Sequence, residues 1–369
     1  MIFMKKTSEK VISVIEVLLL LISAWYCITE TTAVKAAVSE GMSRCLNILI
    51  PSLYAMLAVS SLLTESGLLG LIPNFIKKAA HKIFGMDDDC FLIFLFSMTA
   101  GYPTGAKMIY SEYQNGHIEK NSAELLMGVC FGAGPAFIFG CISGQLYGNA
   151  AVGQTILIST ILANILLALL ISPKLKKCSF KTSKKQAFHF SADMLTDCVM
   201  SAGRSMSGIC LMVIIFAVVT SMLRTYGVLN SFSELLSSLT GLPYETANAI
   251  CCSFMDVSAI SQLPSGNYAL LPEICALVSF GGVCVMMQAA AITKGALSLR
   301  PLIALRSAAA VLSYFICRYI MKFTLADVTV PASAGFSLHK AASPVPSVMI
   351  LLMTFLLICE CDGRKNEKI

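Results

Sequence analysis

Apolar residues fall along this chain in long blocks, without the alternation of strands or the one-sided stripes of soluble helices. A helix needs roughly 20 such residues to cross the hydrocarbon core of a bilayer. Eight blocks approach or exceed that length: 11–28, 45–69, 123–147, 150–172, 204–224, 271–293, 301–321 and 345–361. Two more, 90–107 and 247–267, are apolar but interrupted by glycine, proline and small polar residues. The pattern predicts an all-α polytopic membrane protein of about eight full spans, with two segments that break or re-enter.

Composition removes the alternatives. Hydrophobic residues make up 56% of the 369 positions and charged ones 13%, for a mean hydropathy of +0.77. Soluble domains carry about 25% charged residues, so lipid must serve as this chain's solvent. A soluble enzyme, a nucleic-acid binder and a disordered regulator are all excluded. The 15 cysteines contain no C-x-x-C, and the four histidines are far apart, so neither a metal nor a disulfide framework is read. Most of the thiols sit inside apolar runs, where they act as small hydrophobes.

The net charge of +6 then reports orientation. Lys174, Lys176, Lys177, Lys181, Lys184 and Lys185 crowd one loop, Lys77, Lys78 and Lys82 another, and Lys5, Lys6 and Lys10 precede the first span. Basic loops mark the cytoplasmic side. All three lie on that side only if 90–107 enters the membrane and returns, which predicts a re-entrant hairpin; one ordinary span and a misjudged loop is the plainer reading. The bulky residues around Trp25 lack a cleavage site, so the first span reads as uncleaved. Arg364, Lys365 and Lys368 after the last span agree with cytoplasmic N- and C-termini.

Self-comparison shows a repeat. Residues 60–69 resemble 220–229, Pro103-Thr104-Gly105 resembles Pro264-Ser265-Gly266, and Phe131-Gly132 resembles Phe280-Gly281-Gly282, all in the same order. The predicted organisation is therefore an anchor span and linker (1–42), a first repeat (43–173), a basic cytoplasmic loop (174–202), a second repeat (203–322), and a loop with a C-terminal span (323–369). The lysines make the two repeats antiparallel. Inverted repeats with interrupted helices are a signature of secondary transporters, whose substrate site lies between the breaks.

The breaks carry the candidate chemistry. In Gly101-Tyr102-Pro103-Thr104-Gly105-Ala106-Lys107, proline removes a donor and glycine permits non-helical torsions. The opened turn presents amide groups and a positive half-helix end to an anion, and Lys107 adds a full charge; a lysine at the membrane edge facing headgroups is the alternative. In the second break, Asp256 lies in an apolar stretch beside Ser258. An intramembrane carboxylate is costly unless paired or hydrated, making Asp256 the candidate coupling-ion or proton site, with a helix cap as the alternative. Gly134 and Gln288 complete the expected substrate contacts, while Gly132, Pro135, Gly281 and Gly282 are read as close-packing positions. Glu16 and Arg204 are read as interfacial. No nucleophile–base pair, phosphate loop or cofactor motif appears, so no enzyme activity and no cofactor is expected.

The block Gly101–Lys107, followed by Glu124-Leu125-Leu126 and by Cys130 to Pro135, and Ser279–Gly282 with Gln288, resembles the sporulation integral membrane protein YlbJ family over roughly 45–320. That resemblance implies a nucleoside-recognition Gate domain in each repeat and a role in endospore formation. It implies the movement of dipicolinate across the outer forespore membrane. The chain departs from the family pattern at Phe131 and Gly132, where asparagines are expected, and at Asp256, Ser258, Ala259 and Met286. Fewer polar contacts remain, so three readings are carried: a carrier of a small organic anion such as dipicolinate, a carrier of a nucleoside or other neutral solute, and a non-transporting scaffold of spore formation. The expected partners are one such solute and the lipid bilayer, without nucleic acid; a homo-oligomer stays open.

Overall fold

The computed structural model describes residues 17–66, 80–86, 88–175 and 190–325. The lysines of the first loop and most of both basic loops, Glu16, the segment 326–344 and the predicted span 345–361 lie outside them. Among the described residues the structure is helical and holds no strand. The elements are α1 (Val17–Thr29), α2 (Thr31–Arg44), α3 (Ile50–Glu65), α4 (Asp88–Ala100), α5 (Thr104–Gln114), α6 (Lys120–Val129), α7 (Ile138–Tyr147, wound as a π-helix), α8 (Ala150–Leu175), α9 (Ala192–Thr225), α10 (Val228–Thr240), α11 (Tyr244–Met255), α12 (Leu271–Phe280), α13 (Gly282–Ile292) and α14 (Leu299–Thr324). A π-turn, Cys45–Leu49, joins α2 to α3.

Five helical stretches are long and apolar enough to cross a membrane: Thr31–Leu63, Ala150–Leu175, Ala192–Thr225, Tyr268–Ile292 and Leu299–Thr324. At 1.5 Å per residue, the 26 residues of α8 reach about 39 Å, beyond the roughly 30 Å of hydrocarbon. Their outward faces are apolar: Ile158, Leu162, Leu166 and Leu170 on α8, Leu211 and Ile215 on α9, Phe315, Tyr319 and Phe323 on α14. Patches of that extent need lipid against them. The chain is an all-α polytopic membrane protein.

One predicted span is corrected, and a second keeps its spanning length but is broken within it. The block 123–147 is two half-helices separated at Cys130–Gly134, because Gly132-Ala133-Gly134-Pro135 cannot hold a helix and Pro135 instead starts the next one. The block 271–293 is interrupted at Gly281 and Gly282, whose φ values of +88° and +79° suit only glycine. The first long helix begins at Thr31, well before the predicted 45.

Apart from α10, which has no counterpart among the described residues of the first half, the elements follow a similar order in both halves. A long helix leads (α2–α3; α9), two interrupted segments follow (α4/α5 and α6/α7; α11 with its 3₁₀ turn Val257–Gln262, and α12/α13), and a long helix closes (α8; α14). Corresponding long helices pack on each other and run antiparallel. Gly41 lies against Ile214, Cys45 donates to the Cys210 carbonyl, and Cys198 donates to Glu65, so positions ascend on one helix as they descend on the other. On α8 and α14, Thr155 meets Thr324 while Asn164 meets Arg306. The first interface is apolar, with Leu49, Leu53 and Leu57 against Met206, Ile209 and Val213.

Candidate functional site

Four helix breaks meet at the centre of the molecule. The chain turns back at Gly101–Pro103, so that Gly105 of α5 lies against Ser97 of α4. Gly101, at φ +80°, touches Gly134, and a Cβ at Gly101 would sit 2.7 Å from the Gly134 nitrogen. Tyr102 N donates to Gly132 O at 2.6 Å, and the Tyr102 ring stacks on Phe131 at 5.1 Å. From the other half, a Cβ at Gly281 would meet the Phe131 ring and one at Gly282 the backbone nitrogen of Val257. The glycines therefore allow backbone to approach backbone, as the close-packing reading expects.

Carbonyls freed at these breaks need donors, since no water replaces a lost helix bond in hydrocarbon. Arg306 of α14 supplies them. It is fully buried, donating from Nη1 to Phe131 O at 2.6 Å and from Nη2 to Asn164 Oδ1 at 2.8 Å. Asn164 in turn donates to Phe131 O at 3.2 Å. The negative ends of α6 and α12, which stop beside it, offset the guanidinium charge. This centrepiece escaped the sequence reading, although an arginine inside the predicted span 301–321 is itself a signal, since a charge within the membrane needs a partner.

Three cavities lie in order along α9. The first, about 530 Å³ and open, is lined by Lys107, Tyr110, Gln114, Ser201, Arg204, Ser205, Gln288 and Lys294, with no carboxylate in the lining among the described residues. Lys107 Nζ donates to Ser61 Oγ at 3.0 Å and to Ser201 Oγ at 3.2 Å, and the Glu65 carboxylate outside the lining lies near enough to act on its charge. Arg204, expected at the interface, belongs to this cavity, and Lys294 joins it from beyond α13. The second cavity sits at the breaks between Tyr102, Gly134, Asp256, Ser258, Ser52 and Gln288, and holds about 20 Å³, room for roughly one water. The third, about 280 Å³, is lined by Glu40, Arg44, Thr220, Ser221, Arg224, Asp256 and Gln262.

Shared residues join them. Gln288 and Ile209 line the first and second cavities, and Asp256 the second and third. Along α9 the lining runs from Ser201 through Ile209 and Val213 to Arg224, a rise of about 35 Å. That matches the thickness of a bilayer's hydrocarbon core.

The structure thus brings Tyr102, Gly134, Asp256, Ser258 and Gln288 together and sets Lys107 at the mouth of the first cavity. Gly101, Pro103, Thr104 and Gly105 line none of the three; they form the turn that carries Tyr102 and Lys107. The Tyr102 hydroxyl is buried with no partner among the described residues. Asp256 begins the 3₁₀ turn, accepting from Ser258 N at 3.1 Å and Ser258 Oγ at 2.6 Å, and it is paired with Arg44 at 2.7 Å. It is both a cap and an intramembrane ion-pair member. Arg44, like Lys294, carries no local motif that would have singled it out.

The chain is 22% identical over 306 residues to the sporulation integral membrane protein YlbJ of Bacillus subtilis (strain 168), covering 74% of this chain and 75% of that protein. The similarity supports the YlbJ family at a distant level. No family model matches the chain. No solved structure matches it.

Proposed function

We propose that this protein is a secondary transporter of a small organic anion in endospore formation, with dipicolinate the first solute to test. The observation that carries the reading is the row of three cavities across the membrane, closed at four helix breaks. The antiparallel pairing of corresponding long helices supports an inverted repeat, with the halves at 43–173 and 203–322 and a Gate-like site between them. A centre with room for one water, between two larger cavities, fits a carrier in which both sides are never open together.

Charge selects the solute class. Lys107, Arg204 and Lys294 face the first cavity without a carboxylate in its lining among the described residues, and Ser201, Ser205 and Gln114 add neutral hydrogen-bonding groups. A flat dianion such as dipicolinate meets two or three cations there and loses its hydration shell to hydroxyls. The basic sequence 174–185 precedes the end of α9 that lines this cavity, which supports a cytoplasmic side for it. Uptake from the cytoplasm and release across an outer forespore membrane follows, in keeping with the sporulation name of the distant relative. No catalytic step and no cofactor enters this reading.

The test is uptake of labelled dipicolinate into vesicles containing the protein, with labelled uridine in parallel. Saturable dipicolinate uptake supports the anion reading. Uptake of uridine alone makes the protein a neutral-solute carrier, and uptake of neither by folded protein favours the scaffold.

A further inference from the structure

The third cavity ends on an ion pair. Arg44 is the last residue of α2, held by the π-turn Cys45–Leu49, and Asp256 is the first residue past α11; they are 212 positions apart. Arg44 Nη1 donates to Asp256 Oδ2 at 2.7 Å and to Ser258 Oγ at 3.1 Å. Asp256 and Ser258 line the central cavity, and Arg44 lines the third, so the pair forms the wall between them. Arg44 also lies 3.5 Å from Glu40, itself half exposed and bonded to Gln262. Its Nε has no partner among the described residues.

Beyond the looser contact with half-exposed Glu40, a cation in this position has two carboxylate sources open to it at its Asp256 side. One is Asp256, and the other is an anion arriving through the centre. A solute moving from the central cavity to the third must pass the pair, and Asp256 is the one carboxylate lining the centre among the described residues. Closed, the pair bars the path and compensates the Asp256 charge; opened, it frees a guanidinium with a bidentate fork suited to carboxylates. Removing one member of such a pair leaves the other charge uncompensated in a poorly solvated site.

We propose that Arg44–Asp256 is the gate of the third cavity, and that Arg44 is an anion contact which Asp256 occupies in the empty protein. This rests on the anion-carrier reading. No bond is made or broken; one carboxylate replaces another on the same guanidinium. Asp256 is then a competitor of the solute, a role distinct from its expected one as a coupling-ion site.

The experiment is dipicolinate binding to the purified full-length protein, by calorimetry, for wild type, Asp256→Asn, Arg44→Gln and the double variant. Gel filtration and the melting temperature check each for folding. Asp256→Asn keeps the acceptor for Ser258 N and removes the charge; we expect affinity to rise about tenfold, with the gain absent in the double variant. Ser258→Ala, which only loosens Asp256, serves if Asp256→Asn does not fold, and should tighten binding two- to threefold. Unchanged or weaker binding in these variants, or a gain that survives Arg44→Gln, overturns the gate while wild-type binding leaves the carrier reading standing. Absence of binding in all of them overturns both.

Discussion

The first and third cavities both present arginine or lysine to their interiors, yet they hold those charges differently. Lys107 is bonded to two serine hydroxyls in an open space of about 530 Å³. Arg44 is bonded to a carboxylate in a wall. The first arrangement leaves a cation ready to attract, the second a cation already satisfied. Lys107 makes no direct ion pair among the described residues and feels Glu65 only at longer range, whereas Arg44 must release a bonded carboxylate before it takes another. On the carrier reading, the difference gives the pathway a receptive end and a closed end.

The most severe way to break the comparison is to spoil the centre that both cavities share. A Cβ at Gly105 would run into the carbonyl group of Cys130, backbone that cannot yield, with the Ser97 Cβ beside it. Gly105→Ala should leave under a tenth of the wild-type protein in the membrane, as measured by immunoblot. Gly128→Ala is its control, since the clash there is with the movable Leu305 side chain; abundance should fall by less than half.

Next in size is the receptive end itself. Lys107→Ala should reduce dipicolinate uptake about tenfold at unchanged membrane abundance, because the residue supplies charge and no core packing. Equal loss of protein and activity would make Lys107 structural. Salt sharpens the contrast at lower amplitude. Raising ionic strength from about 0.05 to about 0.5 M shortens the Debye length from roughly 14 to 4 Å. Apparent KM for uptake through the open cavity should rise two- to fivefold, with little change in kcat. Smallest is Arg224→Gln in the third cavity. This arginine is exposed enough to bond Asn248 and Cys252 while facing the cavity, and uptake should fall by no more than about twofold.

The parts of this site that could be read from sequence are those with a local signature. Gly101-Tyr102-Pro103 must open a helix wherever it lies, and an aspartate in an apolar run must be capped, paired or hydrated. Asp256 proved to be capped and paired. The break at Cys130–Gly134 carried its own signal in Gly132, Gly134 and Pro135, but the apolar total of 123–147 masked it. Hydropathy measures whether a segment prefers lipid, and two half-helices buried in protein satisfy it as well as one span does. Arg44 and Lys294 could not be assigned from sequence, Arg204 reads only as interfacial, and Arg306 carries the general signal of a charge inside a span without revealing its partner. What distinguishes them is a partner or a cavity wall contributed from far along the chain.

The central claim is that solute crosses through the centre of the four breaks. Ser52 of α3 lines that central cavity and is only partly buried, so Ser52→Trp, whose indole far exceeds the space there, blocks it, and gel filtration and the melting temperature check that the protein tolerates the overpacking. The measurement is dipicolinate uptake into vesicles by this variant, alongside dipicolinate binding to the same purified protein. The account predicts uptake below a tenth of wild type with binding at the Lys107 cavity retained within threefold. Wild-type uptake by folded Ser52→Trp protein would contradict it, and would move the path away from the breaks.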